Sequence, residues 1–147
     1  MNLDRYVYLT NNDFHDYEFY SDGPNGKIKK VVRFTCIRQG NPGVYNLGFG
    51  DINSAGLVDD TAISNNADRD KVLATVASTI LDFCNRHGDH YIYASGSTQS
   101  RTRLYQMGIA RLWGKIQAEF EVYGLLDDEW HEFGKNTNYE AFLVKRK

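Results

Sequence analysis

The stretch Asp68–Ser95, DRDKVLATVASTILDFCNRHGDHYIYAS, decides the fold. Val72, Leu73, Val76, Ile80, Phe83, Cys84 and His87 recur with the 3.6-residue period of an amphipathic helix. Asn65 or Asn66 can cap that helix, and Gly88 ends it. Asp68 and Asp70 stand in its first turn, where the helix dipole favours acids. HYIYAS, residues 90–95, then reads as a strand. A helical crossover of this length normally joins parallel strands, so the sheet is expected to be mixed.

Strands must precede that crossover, and the sequence supplies three. YEFYS (17–21) is followed by the turn signal DGPNG (22–26). In KIKKVVRFTCIRQ (27–39), Ile28, Val32, Phe34 and Cys36 fall on the even positions, a period-2 pattern. GNPG (40–43) makes the next turn, so antiparallel hairpins are expected here. VYNLGFGDI (44–52) puts Tyr45, Leu47 and Phe49 on one face and Asn46, Gly48 and Gly50 on the other. Two glycines on one face leave a bare strip of backbone, against which a helix or a ligand can come close. A polar loop from Asn53 to Asn66, carrying Asp59 and Asp60, leads into the helix.

Downstream, a second helix is predicted over about 98–118, with Tyr105, Ile109, Leu112, Trp113, Ile116 and Phe120 as its apolar stripe. The chain closes with FEVYGL (120–125), the acidic stretch LDDEWHEF (126–133), the turn GKNTN (134–138) and the alternating NYEAFLVKR (138–146). The expected fold is α+β: one mixed, largely antiparallel sheet in the order β-β-β-α-β-α-β-β, with two long helices packed on it. The length suits a single domain over residues 1–147.

Composition excludes several classes. With a net charge of −2 there is no global basic field to draw the protein to nucleic acid or to an anionic membrane, so any anion site must be local. No apolar run approaches the roughly 20 residues that cross a bilayer, and MNLDRYVYLTNND (1–13) has no signal-peptide core. A cytoplasmic location off the membrane is the expectation. Cys36 and Cys84 read as reduced core residues. His15, His87, His90 and His131 are scattered without metal-ligand spacing, so no metal site is expected. Asp51, Asp59 and Asp60 fit no cation template, and KIKK (27–30) and KRK (145–147) read as solvated strand edges. An aromatic share of 14% suits strands or a stacking surface equally. Nothing in the sequence indicates an oligomeric state.

One corner stands out. SGSTQSRTRLYQMG (95–108) opens the second helix with Arg101 and Arg103 and no carboxylate, the reverse of what a helix dipole prefers. A glycine turn, hydroxyl donors, backbone N–H groups and a guanidinium together describe an anion site at Gly96, Ser97, Thr98, Arg101 and Arg103. On a helical projection Arg101 lies beside the apolar stripe, while Arg103 points away. The alternative is that Ser97 or Thr98 caps the helix and Arg101 pairs with Asp51, Asp59 or Asp60. The segment carries neither a P-loop nor a dinucleotide fingerprint. Tyr105 reads as a packed tyrosine with a bonded hydroxyl, and is otherwise the one weak catalytic candidate.

Three blocks, YNLGFGD (45–51), SNNADRDKVLATVAS (64–78) and GSTQSRTRLYQMGI (96–109), resemble an uncharacterised bacterial family with phage-encoded relatives. That resemblance implies no activity. The element order also resembles the later part of GNAT-type N-acyltransferases. RTRLYQMGI (101–109) is similar to that family's A-x-x-L-Y-x-x-x-G-F segment at Leu104 and Tyr105, with Gly108 one place early, and NYEAFLVKR is similar to its last strand. The resemblance implies an acyl-CoA cofactor and Tyr105 as general acid toward the departing thiolate. Where that family has a glycine loop for the pyrophosphate, this chain reads SNNADRD (64–70).

Three functions follow as expectations. One is a binding or accessory module for a small anion such as phosphate or a nucleotide. A second is an enzyme acting on a nucleotide, acyl-CoA or another phosphorylated small molecule, with Tyr105 as proton donor and Arg101 as anchor. The third is a nucleic-acid-associated protein using the arginines and stacking aromatics, against which the net acidity weighs.

Overall fold

Alternation of apolar and polar residues shapes the first half of the chain. The computed structural model describes residues 3–52 and 66–147, with the backbone of 58–59. Strands β1 (Leu9–Asn11), β2 (Asp16–Gly23), β3 (Gly26–Arg38) and β4 (Val44–Ile52) form an antiparallel ladder. Its register aligns Tyr17 with Val32 and Phe49, and Phe34 with Leu47, making one apolar face. The other face carries the ion pairs Lys29–Glu18 and Arg33–Asp16.

Helix α1 (Arg69–His87) covers the apolar face with Ile80, Phe83 and Cys84. The Phe34 and Phe83 rings stack with centroids 4.4 Å apart. The predicted end at Gly88 is present, with Gly88 N–H donating to Cys84 O. Strand β6 (Tyr91–Ala94) then returns parallel to β4, as the crossover requires, pairing Tyr91–Tyr93 with Val44–Asn46. His90 anchors this return. Its Nδ1 accepts from Gly43 N–H at 2.8 Å and its Nε2 donates to His87 O at 2.8 Å, which joins the turn after α1 to the β3–β4 turn.

Helices α2 (Gln99–Arg111) and α3 (Trp113–Glu119) lead to β7 (Phe120–Leu126), β8 (Glu129–Glu132) and β9 (Ala141–Arg146). A two-residue β5 (Val58–Asp59) pairs with the end of β4. The sheet runs β1-β2-β3-β4-β6-β9-β7-β8, so the last long strand lies between β6 and β7. The fold is α+β with one mixed, open sheet.

Several details depart from the sequence reading, each for a physical reason. The second helix breaks at Leu112 into α2 and α3, and Gly114, a poor helix former, lies just beyond the break. The acidic stretch is a hairpin: Asp127 and Asp128 both take positive φ, 52° and 62°, as a two-residue primed turn requires. Asn66 does not cap α1. Its buried amide accepts from Asn25 N–H and donates to Gly26 O and Ser21 Oγ, holding the β2–β3 turn, while Asp68 is the N-cap residue. Lys30 of KIKK is buried, because the β3 register turns it inward beside Val32 and Phe34; Asp51 Oδ1 meets its Nζ at 2.5 Å. Cys84 is buried as expected. Cys36 is exposed, because β3 is uncovered from Thr35 to Arg38. The covering helix lies on the Tyr45, Leu47 and Phe49 face of β4. On the glycine face a Cβ at Gly48 would meet only Arg33 O, at 3.7 Å. Asn65, Asp60 and the side chain of Asp59 lie outside the described residues.

Candidate functional site

The corner singled out in the sequence follows β6. Beyond Asn46 and Tyr93 the parallel ladder stops, and β4 runs on to Ile52 while the chain leaves β6 through Ser95–Thr98 into α2. Gly96 is pressed against the first turn of that helix. A Cβ there would stand 2.5 Å from Thr102 N and 2.7 Å from Arg101 Cβ, so the position admits only glycine. Gly96 N–H donates to Thr102 Oγ1 at 3.0 Å, and that hydroxyl donates to Thr98 O at 3.1 Å.

Thr98 performs the capping weighed above, its Oγ1 accepting from Arg101 N–H at 3.2 Å. The first turn of α2 holds no acid. The amides of Gln99 and Ser100 have no intrahelical acceptor, as at any helix start. Arg101 is half-buried and Arg103 exposed, as the helical projection implied. Ser97 is exposed and Tyr105 half-buried. Asp51, one of the acids weighed as a partner for Arg101, is engaged by Lys30 instead.

Sequence reasoning passed over Gln106. It is 3% exposed, and its Nε2 donates to Gly134 O and Lys135 O at 3.1 and 3.0 Å, fastening α2 to the chain after β8. Its Oε1 is buried without a hydrogen-bond partner among the described residues.

A cavity of about 620 Å³ opens at the start of α1, lined in part by Asp4, Asp68, Asp70, Lys71 and Arg111. Most of its charged groups have partners, and Arg69 lines it too. Asp68 accepts from Tyr6 OH at 2.6 Å and Ser21 Oγ at 2.5 Å, Asp70 holds Arg111 at 2.8 Å, and Lys71 lies 3.8 Å from Asp4. Three carboxylates face three cations there, so the cavity has no excess of positive charge for an anion.

The structure also gathers residues that sequence spacing keeps apart. One donor atom from each of Asp13, His15 and His87 lies within 4.8 Å of the other two. Asp13 and His15 belong to the β1–β2 turn and His87 ends α1, so only the packing of α1 on the sheet unites them. Proximity of this kind leaves no local sequence signal.

With this geometry in hand, the chain can be placed among known proteins. The family of unknown function DUF6934 matches residues 2–147, and the chain belongs to that family. Comparison with curated proteins and with solved structures found no match. Among the described residues, no helix is long and apolar enough to cross a membrane.

Proposed function

We propose that this chain is a binding module for a small anion, of phosphate or nucleotide type, at the start of α2. The observation that carries the reading is the make-up of that first turn. It has no carboxylate, two amides without intrahelical acceptors and the half-buried Arg101, at the carboxyl end of a parallel strand pair. In open sheets that end, where the ladder stops, is where ligands commonly sit. Gly96, Ser97 and Thr98 supply the approach to the turn, Arg101 is the anchor, and Arg103 adds a weaker outer charge.

The test is thermal unfolding with phosphate, sulfate, nucleotides and acyl-CoA. A bound anion raises Tm, Arg101→Ala abolishes the rise and Arg103→Ala reduces it less. No stabilisation by any anion of the panel overturns the proposal. If acyl-CoA alone stabilises, and shifts amide resonances in both 66–72 and 95–105, the acyltransferase reading replaces it. Oligonucleotide binding that weakens steeply with salt would favour the nucleic-acid reading.

A further inference from the structure

Asn12, Asp13 and Phe14 have φ of 52°, 52° and 65°, three successive non-glycine residues in the left-handed region. Asparagine and aspartate tolerate that conformation, and phenylalanine does so rarely. The turn they make points two carbonyls at two imidazoles. Asn12 O lies 2.9 Å from His15 Nδ1, and Asp13 O lies 2.6 Å from His87 Nε2. A carbonyl only accepts, so each of those ring nitrogens carries the proton. The lone pairs are thereby assigned to His15 Nε2 and His87 Nδ1.

Histidines that bind metals are commonly prepared in this way, with the second ring nitrogen donating to a backbone carbonyl or a carboxylate. The two rings are 4.5 Å apart between centroids, and both lie against Phe83. Asp13 adds the carboxylate. Its Oδ1 accepts from Arg86 Nε and a terminal Arg86 nitrogen at 3.2 and 3.0 Å, which orients the group and engages one of its two oxygens. Arg86, in turn, lies over the Phe14 ring at 5.4 Å. Its positive charge opposes a cation, so the site is of moderate strength.

We propose that Asp13, His15 and His87 bind a divalent first-row transition ion, of which zinc is the natural candidate. Two imidazoles and one carboxylate suit zinc or cobalt better than magnesium or calcium, which demand oxygen. Tetrahedral zinc, with bonds of about 2.1 Å, holds its ligands about 3.4 Å apart. One donor atom from each residue lies within 4.8 Å of the other two, and metal binding would draw the three side chains together by rotation of the exposed Asp13 carboxylate and of the rings. Three protein ligands leave at least one position for water or a substrate atom. The site shares no residue with the α2 corner and stands independently of it.

The test uses the full chain carrying Cys36→Ser, so that the exposed thiol does not compete. Titration with Co²⁺ is expected to saturate at one equivalent, with a visible absorption band that Zn²⁺ then abolishes. The imidazole resonances of His15 and His87 should broaden most, more than that of the neighbouring His90, while that of His131, on the far edge of the sheet, stays sharp. His15→Asn and His87→Gln should each weaken binding at least tenfold. Should either variant fail to fold, the resonance experiment on unaltered histidines still decides. The proposal is overturned if Co²⁺ is not taken up below millimolar concentration, if uptake leaves His15 and His87 unperturbed, or if both folded variants bind it as before.

Discussion

At the residue scale, Tyr17 shows how one buried hydroxyl ties stability to pH. It is 1% exposed, and its OH donates to Asp82 Oδ2 at 3.1 Å. Burial first, and then the Asp82 charge, push its ionisation well above that of a free tyrosine. The folded form therefore holds the proton more tightly than the unfolded chain, whose tyrosines titrate near pH 10. The resulting stability is fully present below about pH 10 and is lost as pH rises toward the folded-state value. Tyr6, Tyr45 and Tyr123 are raised by burial in the same sense. Tyr17→Phe is expected to cost about 1 kcal/mol at pH 7 through the lost hydrogen bond. Above pH 10 the wild-type curve should fall more steeply than the variant's, so the gap narrows; urea unfolding at pH 7, 9, 10 and 11 checks this. Lys30 shows what a residue's identity conceals. Its even position in β3 marks it as inward-facing, yet its charge argues for the surface. The conflict resolves through Asp51, which the β3–β4 register brings opposite. That register includes an irregularity between Cys36 and Arg38, which nothing in the local sequence announces.

At the element scale, the legible parts are those whose causes are local. α1 has a full apolar stripe and a terminal glycine, and its end falls at Gly88 as predicted, while its start, with Asp68 as N-cap, comes later than a cap at Asn65 or Asn66 implied. β4 spans the predicted residues, because VYNLGFGDI alternates cleanly between turn signals. The β7–β8 hairpin was hidden because two aspartates make its turn in place of Asn-Gly. The corner at α2 divides in the same way: the Thr98 cap and the contrast between Arg101 and Arg103 are local, and the crowding of Gly96 against Thr102 is not. Gly124 tests the tertiary kind of cause. It lies in β7 opposite Phe142, and a Cβ there would stand 2.2 Å from Tyr139 Cγ. Tyr139 OH accepts from Gly134 N–H and donates to Glu132 O, so the ring cannot withdraw without releasing the β8–β9 connection. Gly124→Ala should lose about 2–3 kcal/mol, near the upper end for overpacking. A loss under 0.5 kcal/mol in denaturant unfolding would mean that the Tyr139 ring moves freely.

For the whole molecule, the question is whether two halves of the sheet behave as one body. The ladder joining them, β4 to β6, has three paired positions, whereas β2–β3 has eight and β7–β9 six. Backbone pairing alone would make this seam, with the equally short β6–β9 ladder beside it, a weak line across the middle of the sheet. Side-chain packing opposes that. A single buried cluster runs from Tyr17, Val32 and Phe34 through Phe83 to Ile92, Ile116, Phe120 and Val122, so both halves share one core. Ile92 lies at the seam itself, fully buried and aligned with Tyr45 on one side and Val144 on the other. Hydrophobic burial then outweighs the short ladder, and unfolding is expected to be two-state across residues 1–147. Both tryptophans, Trp113 and Trp130, come after the seam in sequence, so their fluorescence reports the second half, while amide exchange in β3 reports the first. The two probes should give one denaturation midpoint. Ile92→Ala should cost about 2–5 kcal/mol and lower both together. If the fluorescence midpoint falls while the β3 amides keep their protection, the halves are separate folding units and the shared core does not couple them.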